Sequence, residues 1–234
     1  MITLDDFDLA LGGPDGCPAE HDGRGGPFGR STRPAPGHWL VHDDGRRDPL
    51  PVRRWHGPAE PVIEAVAARC DGPTIDLGCG PGRLTEALAR RGLVALGVDR
   101  SAEAVRLTRS RGVVALRRDI LAPLPGEGRW AHAMLVDGNI GIGGDPVRLL
   151  RRCGALIAPD GTLVVEVDSP GTGLWQGRAY VLSGSPGVRQ RRGPAFRWAR
   201  VGAETVARVA AAADLRVART SRSGARCFAE LVRS

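Results

Sequence analysis

Between residues 73 and 167 the chain carries short, nearly continuous apolar runs at Thr74–Leu77, Val94–Val98, Val113–Leu116, Ala133–Val136 and Thr162–Val167. Helix-period segments at Arg83–Arg91, Ala102–Arg109 and Pro146–Cys153 fall among them. This pattern constrains the fold more than any other feature. A strand with one wet face alternates apolar and polar residues, whereas a continuous run must be covered on both faces, as parallel strands between helix layers are. The expectation is an α/β protein with a doubly wound, mostly parallel seven-stranded sheet and right-handed crossovers. Helical patterns at Pro58–Cys70 and Ala203–Ala213 flank the runs. Leu215–Thr220 and Cys227–Val232, joined by Ser221-Arg222-Ser223-Gly224, read as a closing hairpin whose C-terminal strand runs antiparallel to the rest.

The ends differ from this middle. Residues 1–37 hold eight Gly and five Pro with little apolar periodicity, a composition that buries too little surface to offset its ordering entropy. Residues 1–57 are therefore expected to form an irregular tail and cap, and 58–234 the main domain. The stretch Gly171–Arg200 fits neither period and reads as an insertion at about 170–200. All 33 basic residues are arginine, which excludes Schiff-base and P-loop lysine chemistry. Residues 170–234 carry twelve arginines against three acids, while residues 38–169 carry eighteen against seventeen. Five cysteines lie scattered without metal-ligand spacing, so reduced thiols in a cytoplasmic protein with no metal site are expected. No run reaches the roughly 18 apolar residues of a membrane-spanning helix, so no membrane partner is expected.

The sharpest local signal is Asp76-Leu77-Gly78-Cys79-Gly80-Pro81-Gly82-Arg83, which follows a strand and opens a helix. Ligands of open α/β sheets sit at the carboxyl ends of the strands, and glycines there let bare main chain approach them. A dinucleotide fingerprint needs a third glycine where Arg83 stands, and a carboxylate at position 76 does not suit pyrophosphate. It suits a ligand with a cationic amino-acid end. The loop resembles the first motif, D/E-x-G-x-G-x-G, of the class I S-adenosylmethionine (SAM)-dependent methyltransferases. Further matches follow in order: Val98-Asp99-Arg100-Ser101, Arg118-Asp119-Ile120, Leu135-Val136-Asp137-Gly138-Asn139 and Leu156–Leu163. In the last of these, Asp160 replaces the family's first glycine.

The resemblance implies SAM as cofactor, held by Asp76, Gly78, Gly80, Gly82, Asp99, Arg100, Asp119, Ile120, Asp137 and Gly138. Within that set Asp99 would take both ribose hydroxyls, since a carboxylate accepts two hydrogen bonds from a diol, and Asp119 the adenine amino group. It also implies transfer of a methyl group to an acceptor, a bacterial small molecule in the first instance. Candidate bases are His38, His42, His56 and His132 with Asp137, Glu166 and Asp168; His56 and Asp137 are preferred as catalytic. His132 starts its strand at the wrong edge of the sheet and is expected to pack. Asp145 before Pro146 reads as a helix cap, and Cys79 as a small spacer.

The insertion interleaves Arg178, Arg189, Arg191, Arg192, Arg197 and Arg200 with Trp175, Tyr180, Phe196 and Trp198. As a lid, it points to an anionic or aromatic acceptor held by Asn139, Trp175, Arg178 and Arg197, since guanidinium forks match carboxylates and stack on rings. The same composition could contact phosphate and stack bases. RNA or protein methylation is thus one alternative, weakened by the near-neutral body, and a non-catalytic SAM-binding module is another.

Overall fold

The computed structural model describes residues 37–184 and 190–234. Residues 1–36 of the expected tail, and Arg189 of the insertion, lie outside them. In chain order the elements are β1 (Gly37–His42), β2 (Arg47–Pro49), α1 (Val52–His56), α2 (Pro61–Ala67), β3 (Thr74–Leu77), α3 (Arg83–Arg90), β4 (Ala95–Asp99), α4 (Ala102–Ser110), β5 (Ala115–Arg117) and β6 (Trp130–Leu135). A 3₁₀ segment, Asn139–Gly144, then leads to α5 (Pro146–Leu156), β7 (Ile157–Val167), β8 (Leu174–Gly184), β9 (Arg191–Arg192), β10 (Phe196–Val201), α6 (Val206–Ala211), β11 (Leu215–Ser223) and β12 (Arg226–Arg233).

Seven strands form the main sheet in the order β11-β12-β7-β6-β3-β4-β5. The pairings from β5 to β7 are parallel, and β12 runs antiparallel between β7 and β11. All four residues of β3 are buried, as a continuous apolar run requires. The two faces separate by strand alternation. Ile75, Leu77, Ala133 and Leu135 pack with Leu149 and Leu150 of α5 and Val206 and Val209 of α6. On the other face Met134 and Val136 pack with Ile63 and Val66 of α2 and with Leu84 and Leu88 of α3. Each such fully buried aliphatic side chain contributes about 1.5–3 kcal/mol. Caps fix the helix starts: the Ser101 side chain accepts from the Ala104 N–H, and Asp145 from the Arg148 N–H.

The ends of the chain correct the reading made from sequence. Residues 38–57 are not an irregular cap, and Gly171–Arg200 is not an irregular insertion. Together they form a second antiparallel sheet, β10-β8-β1-β2, with β9 added on β8. β1 pairs with β8 along its length, from Gly37↔Gly184 to His42↔Ala179. Strands on both sides of the expected division after residue 57 thus share one sheet. Leu40, Ala179, Val181, Phe196 and Trp198 form its own apolar core, against which Ile142 of the 3₁₀ segment packs. Arg200 ties this sheet to the main one, bonding Asp168 after β7 at 2.6 Å and Asp48 of β2 at 3.1 Å.

Candidate cofactor cleft and its ion-pair floor

A cleft of about 1060 Å³, open mouth included, lies at the carboxyl ends of β3, β4 and β6. Asp76, Gly78, Gly80, Asp99, Arg100, Ile120 and Asp137 all border it. The glycine loop and the second acidic motif, 19 residues apart, therefore meet in one pocket. They also touch directly, because the Gly80 N–H donates to Asp99 Oδ2 at 3.0 Å. The other oxygen, Oδ1, accepts from the Ser101 N–H at 2.9 Å.

Two glycines show why the loop needs them. Gly80 has φ +51°, and a Cβ built on it would meet nothing within 4 Å; that space is the cleft. Gly78, at φ +75°, has no such room, since a Cβ would come within 2.6 Å of Asn139 Nδ2. The Asn139 amide instead donates to the Leu77 and Gly78 carbonyls at 3.0 and 2.8 Å, joining the loop after β6 to the loop after β3.

Asp76 is 1% exposed. Thr85 Oγ1 donates to its Oδ2 at 2.7 Å, while Oδ1 has no hydrogen-bond partner. Burial, opposed by the Thr85 bond and reinforced by the charges of Asp137 and Asp99, pushes this carboxyl up to about 7. A half-satisfied buried carboxyl facing a cleft calls for a cationic donor. An ammonium at that end, a diol at Asp99 and open backbone between them fit a nucleoside with an amino-acid end.

Three arginines and three carboxylates make the floor beside it. Asp137 accepts from Arg83 Nη2 at 2.8 and 2.7 Å and from Arg226 Nη2 at 3.0 Å. Arg226 also donates to Glu166 at 2.6 and 2.7 Å, and Glu166 accepts the Asp137 N–H at 2.6 Å. Glu60, ahead of α2, lies 3.0 Å from Arg83, 3.2 Å from Arg226 and 3.2 Å from Arg54 of α1. The Asp137 backbone is left-handed, φ 57°. Nothing in the isolated sequence announces this cluster. Arg83 stood out only as the residue that breaks a dinucleotide pattern, and Arg226 and Glu60 carried no signal.

The geometry corrects several site assignments. Asp137 borders the cleft, but its carboxylate is bonded by two guanidiniums, those of Arg83 and Arg226. His56 is not among the residues bordering the cleft; its neighbour Trp55 is. The His56 carbonyl accepts from Arg111 at 2.8 Å, and burial with the Arg111 charge lowers the imidazole pKa. Gly82 (φ +85°) caps α3 with its Cβ position filled by Thr108, and neither it nor Gly138 borders the cleft. Asp119 caps its own turn through the Leu121 N–H at 2.9 Å and lies 3.6 Å from Arg100, leaving Ile120 to face the cleft. Arg178 and Arg197 are cross-strand partners on β8 and β10, whereas Trp198, one residue on, borders the cleft. Alternation along β10 turns the two arginines to the opposite, exposed face. Trp175 shares the inner face but stands edge-on to His42, ring centroids 4.6 Å apart, and does not border the cleft.

The other candidate histidines each bond a neighbouring side chain. His42 bonds Asp48 at 2.7 Å, His38 bonds Ser183 at 2.8 Å, and His132 bonds Thr162 and Asp71 at 2.7 and 2.8 Å. Cys79 is buried, and burial raises its thiol pKa well above the ordinary value. Among the described residues no group of histidines, cysteines and carboxylates could hold a metal ion, and no helix is long and apolar enough to cross a membrane.

Fold and cleft together define an α/β protein with a cleft at the carboxyl ends of its parallel strands. Residues 75–161 match the family model described as a methyltransferase domain. The chain has the fold of the SAM-dependent methyltransferase from Bacteroides fragilis solved with S-adenosyl-L-homocysteine, at TM-score 0.67 and 18% identity over 85% of this chain and 88% of that one. CcbJ methyltransferase from Streptomyces caelestis superposes at TM-score 0.61, with 19% identity over 77% and 92%. In sequence, ubiquinone biosynthesis O-methyltransferase of Xanthomonas campestris pv. campestris is 29% identical over 137 residues, 49% of this chain and 56% of the relative. Trans-aconitate 2-methyltransferase of Paracidovorax citrulli is 32% identical over 114 residues, 47% and 44% respectively. The chain spans about half the length of these curated relatives. Residues 75–161 are thus similar to a methyltransferase domain, and the described residues share the fold of these two solved methyltransferases.

Proposed function

We propose that this protein transfers a methyl group from SAM to a small-molecule acceptor. The observation that carries the reading is the meeting, in one cleft, of the bare main chain of Gly80, the Asp99 carboxylate and the unpartnered Oδ1 of buried Asp76. Asp99 accepts a main-chain N–H at each of its oxygens, and a carboxylate is the group suited to accept two hydrogen bonds from a ribose diol. Asp76 offers its free oxygen to the ammonium of the amino-acid end, and Arg100 and Ile120 border the adenine side. Bound there, SAM supplies a methyl carbon activated by the adjacent sulfonium. The protein's own contribution is alignment and the exclusion of water, which for an in-line displacement is the larger part of the work. The sequence relatives support a small acceptor. A reducing, cytoplasmic setting belongs to the same reading, supported by four cysteines that are free and buried among the described residues.

Titration calorimetry with SAM on the wild type and on Asp99→Ala tests the cofactor site. The substitution is expected to weaken binding by more than about tenfold, on the order of 1.4 kcal/mol. Equal affinities, or tighter binding of NAD than of SAM, would overturn the assignment.

A further inference from the structure

We propose that the acceptor half of this cleft takes a flat aromatic molecule whose reacting atom needs no protein base, and that Trp55 and Trp198 set that preference. The inference rests on the methyl-transfer reading above. Besides the glycine loop and the acidic residues, the cleft is bordered by Leu40, Leu50, Trp55, Ile142 and Trp198, and none of these side chains is charged. They come from β1, the β2–α1 connection, α1, the 3₁₀ segment and β10, so the second sheet supplies much of the acceptor wall. Apolar walls with two indoles gain most from a planar apolar body, through burial and ring contact.

The wall is rigid where it matters. Trp198 is 8% exposed and meets Phe196 edge-on at 5.8 Å between centroids. It also packs over Gly141, where a Cβ would approach its Cε2 to 2.6 Å. Trp55 sits between Arg54, which the ion-pair floor holds through Glu60, and His56, whose carbonyl Arg111 anchors. The Trp198 indole is thus held by contacts outside the cleft, and the residues on either side of Trp55 are anchored.

Charge argues the same way. The arginines that would hold an acidic acceptor, Arg178 and Arg197, lie on the far face of the second sheet. Arg83 borders the cleft but is neutralised by Asp137 and Glu60. Three carboxylates border the cleft, Asp76, Asp99 and Asp137, and no histidine does among the described residues. Asp137 is held by two arginines, while Asp76 and Asp99 belong to the cofactor half. The acceptor atom must therefore bring its own available lone pair, as a phenolate or an aryl amine does at neutral pH. That lone pair forms the new bond to the methyl carbon as the carbon–sulfur bond breaks. The bonding pair stays on sulfur and cancels the sulfonium charge, and any proton left on the acceptor atom passes to water.

The test uses the full chain saturated with S-adenosylhomocysteine and two probes, 4-nitrocatechol and the aliphatic tricarboxylate trans-aconitate. Calorimetry is expected to show 4-nitrocatechol binding at least about tenfold tighter than trans-aconitate. Trp198→Ala and Trp55→Ala should each weaken 4-nitrocatechol binding by about tenfold, with S-adenosylhomocysteine affinity changed less than about threefold. Trp198→Phe, which keeps a ring in the wall, should restore most of the loss, and it carries the test if Trp198→Ala fails to fold. With turnover, the pH dependence of kcat/KM should shift between catechol and 4-nitrocatechol with the acidity of the acceptor hydroxyl. Preference for trans-aconitate, indifference to both tryptophans, or one pH profile shared by both catechols would overturn the proposal. Failure of the wild type to bind S-adenosylhomocysteine would overturn the methyl-transfer reading beneath it.

Discussion

Replacing Asp137 by Asn separates two roles that the sequence leaves open. The change keeps the side chain's shape, and Asn tolerates the left-handed backbone found there, so only the negative charge is lost. In the ion-pair floor, three guanidiniums face three carboxylates, and the substitution leaves the positive charge uncompensated. Arg83 and Arg226, whose side chains are 4% and 12% exposed, cannot turn to water without dragging their stems out of the core. Removing one partner of a buried charge pair costs about 3–5 kcal/mol. Residual bonds from Arg83 to Glu60 and from Arg226 to Glu166 and Glu60 favour the lower figure. For a chain of this size each kcal/mol moves Tm by roughly 2–4 °C, so a fall of about 6–12 °C is expected by scanning calorimetry. Methyl transfer, measured where the variant stays folded, should decline by less than about tenfold. Tm within about 2 °C of wild type together with a hundredfold or greater loss of kcat would refute the argument, because that is the signature of a general base.

Further expectations follow from the same geometry. Asp76 has a folded-state pKa of about 7 against an ordinary 3.8. Its contribution to stability is complete below pH 4 and is lost as pH rises through 7, up to about 4 kcal/mol at 1.36 kcal/mol per unit. The difference in unfolding free energy between wild type and Asp76→Asn, followed by denaturant titration from pH 5 to 8, should therefore shift against the wild type as pH rises; a pH-independent difference would refute the assignment. Near pH 6, SAM binding should release protons from the same carboxyl, read as an observed enthalpy that changes with buffer ionisation heat. Arg178→Ala with Arg197→Ala should leave kcat/KM within about twofold, since both side chains lie on the far face of the second sheet; a larger drop would return them to the acceptor site. His56→Ala should retain at least about a third of wild-type kcat, and a hundredfold loss would restore it as a base.

The main sheet was legible because its determinants are local. Each of the five apolar runs overlaps an observed strand, β3 residue for residue, since a strand buried on both faces must write its burial into consecutive side chains. The hairpin of β11 and β12 and the cap at Asp145 were legible for the same reason. So was the cofactor loop, where backbone at φ +75° and +51° restricts the choice at Gly78 and Gly80, and where the acidic partner falls at the end of the next strand. Tertiary structure alone decided the second sheet, since β1 gains its partner, β8, from more than 130 residues away, and neither strand is apolar enough to declare itself. It decided which face of β10 meets the cleft, reversing the roles of Arg197 and Trp198. It also set the candidate base Asp137 among guanidiniums, because Arg83, Arg226 and Glu60 arrive from separate parts of the chain. Side-chain identity fixes what a residue can do; which charges stand within 3 Å of it depends on the packing of elements that share no local sequence.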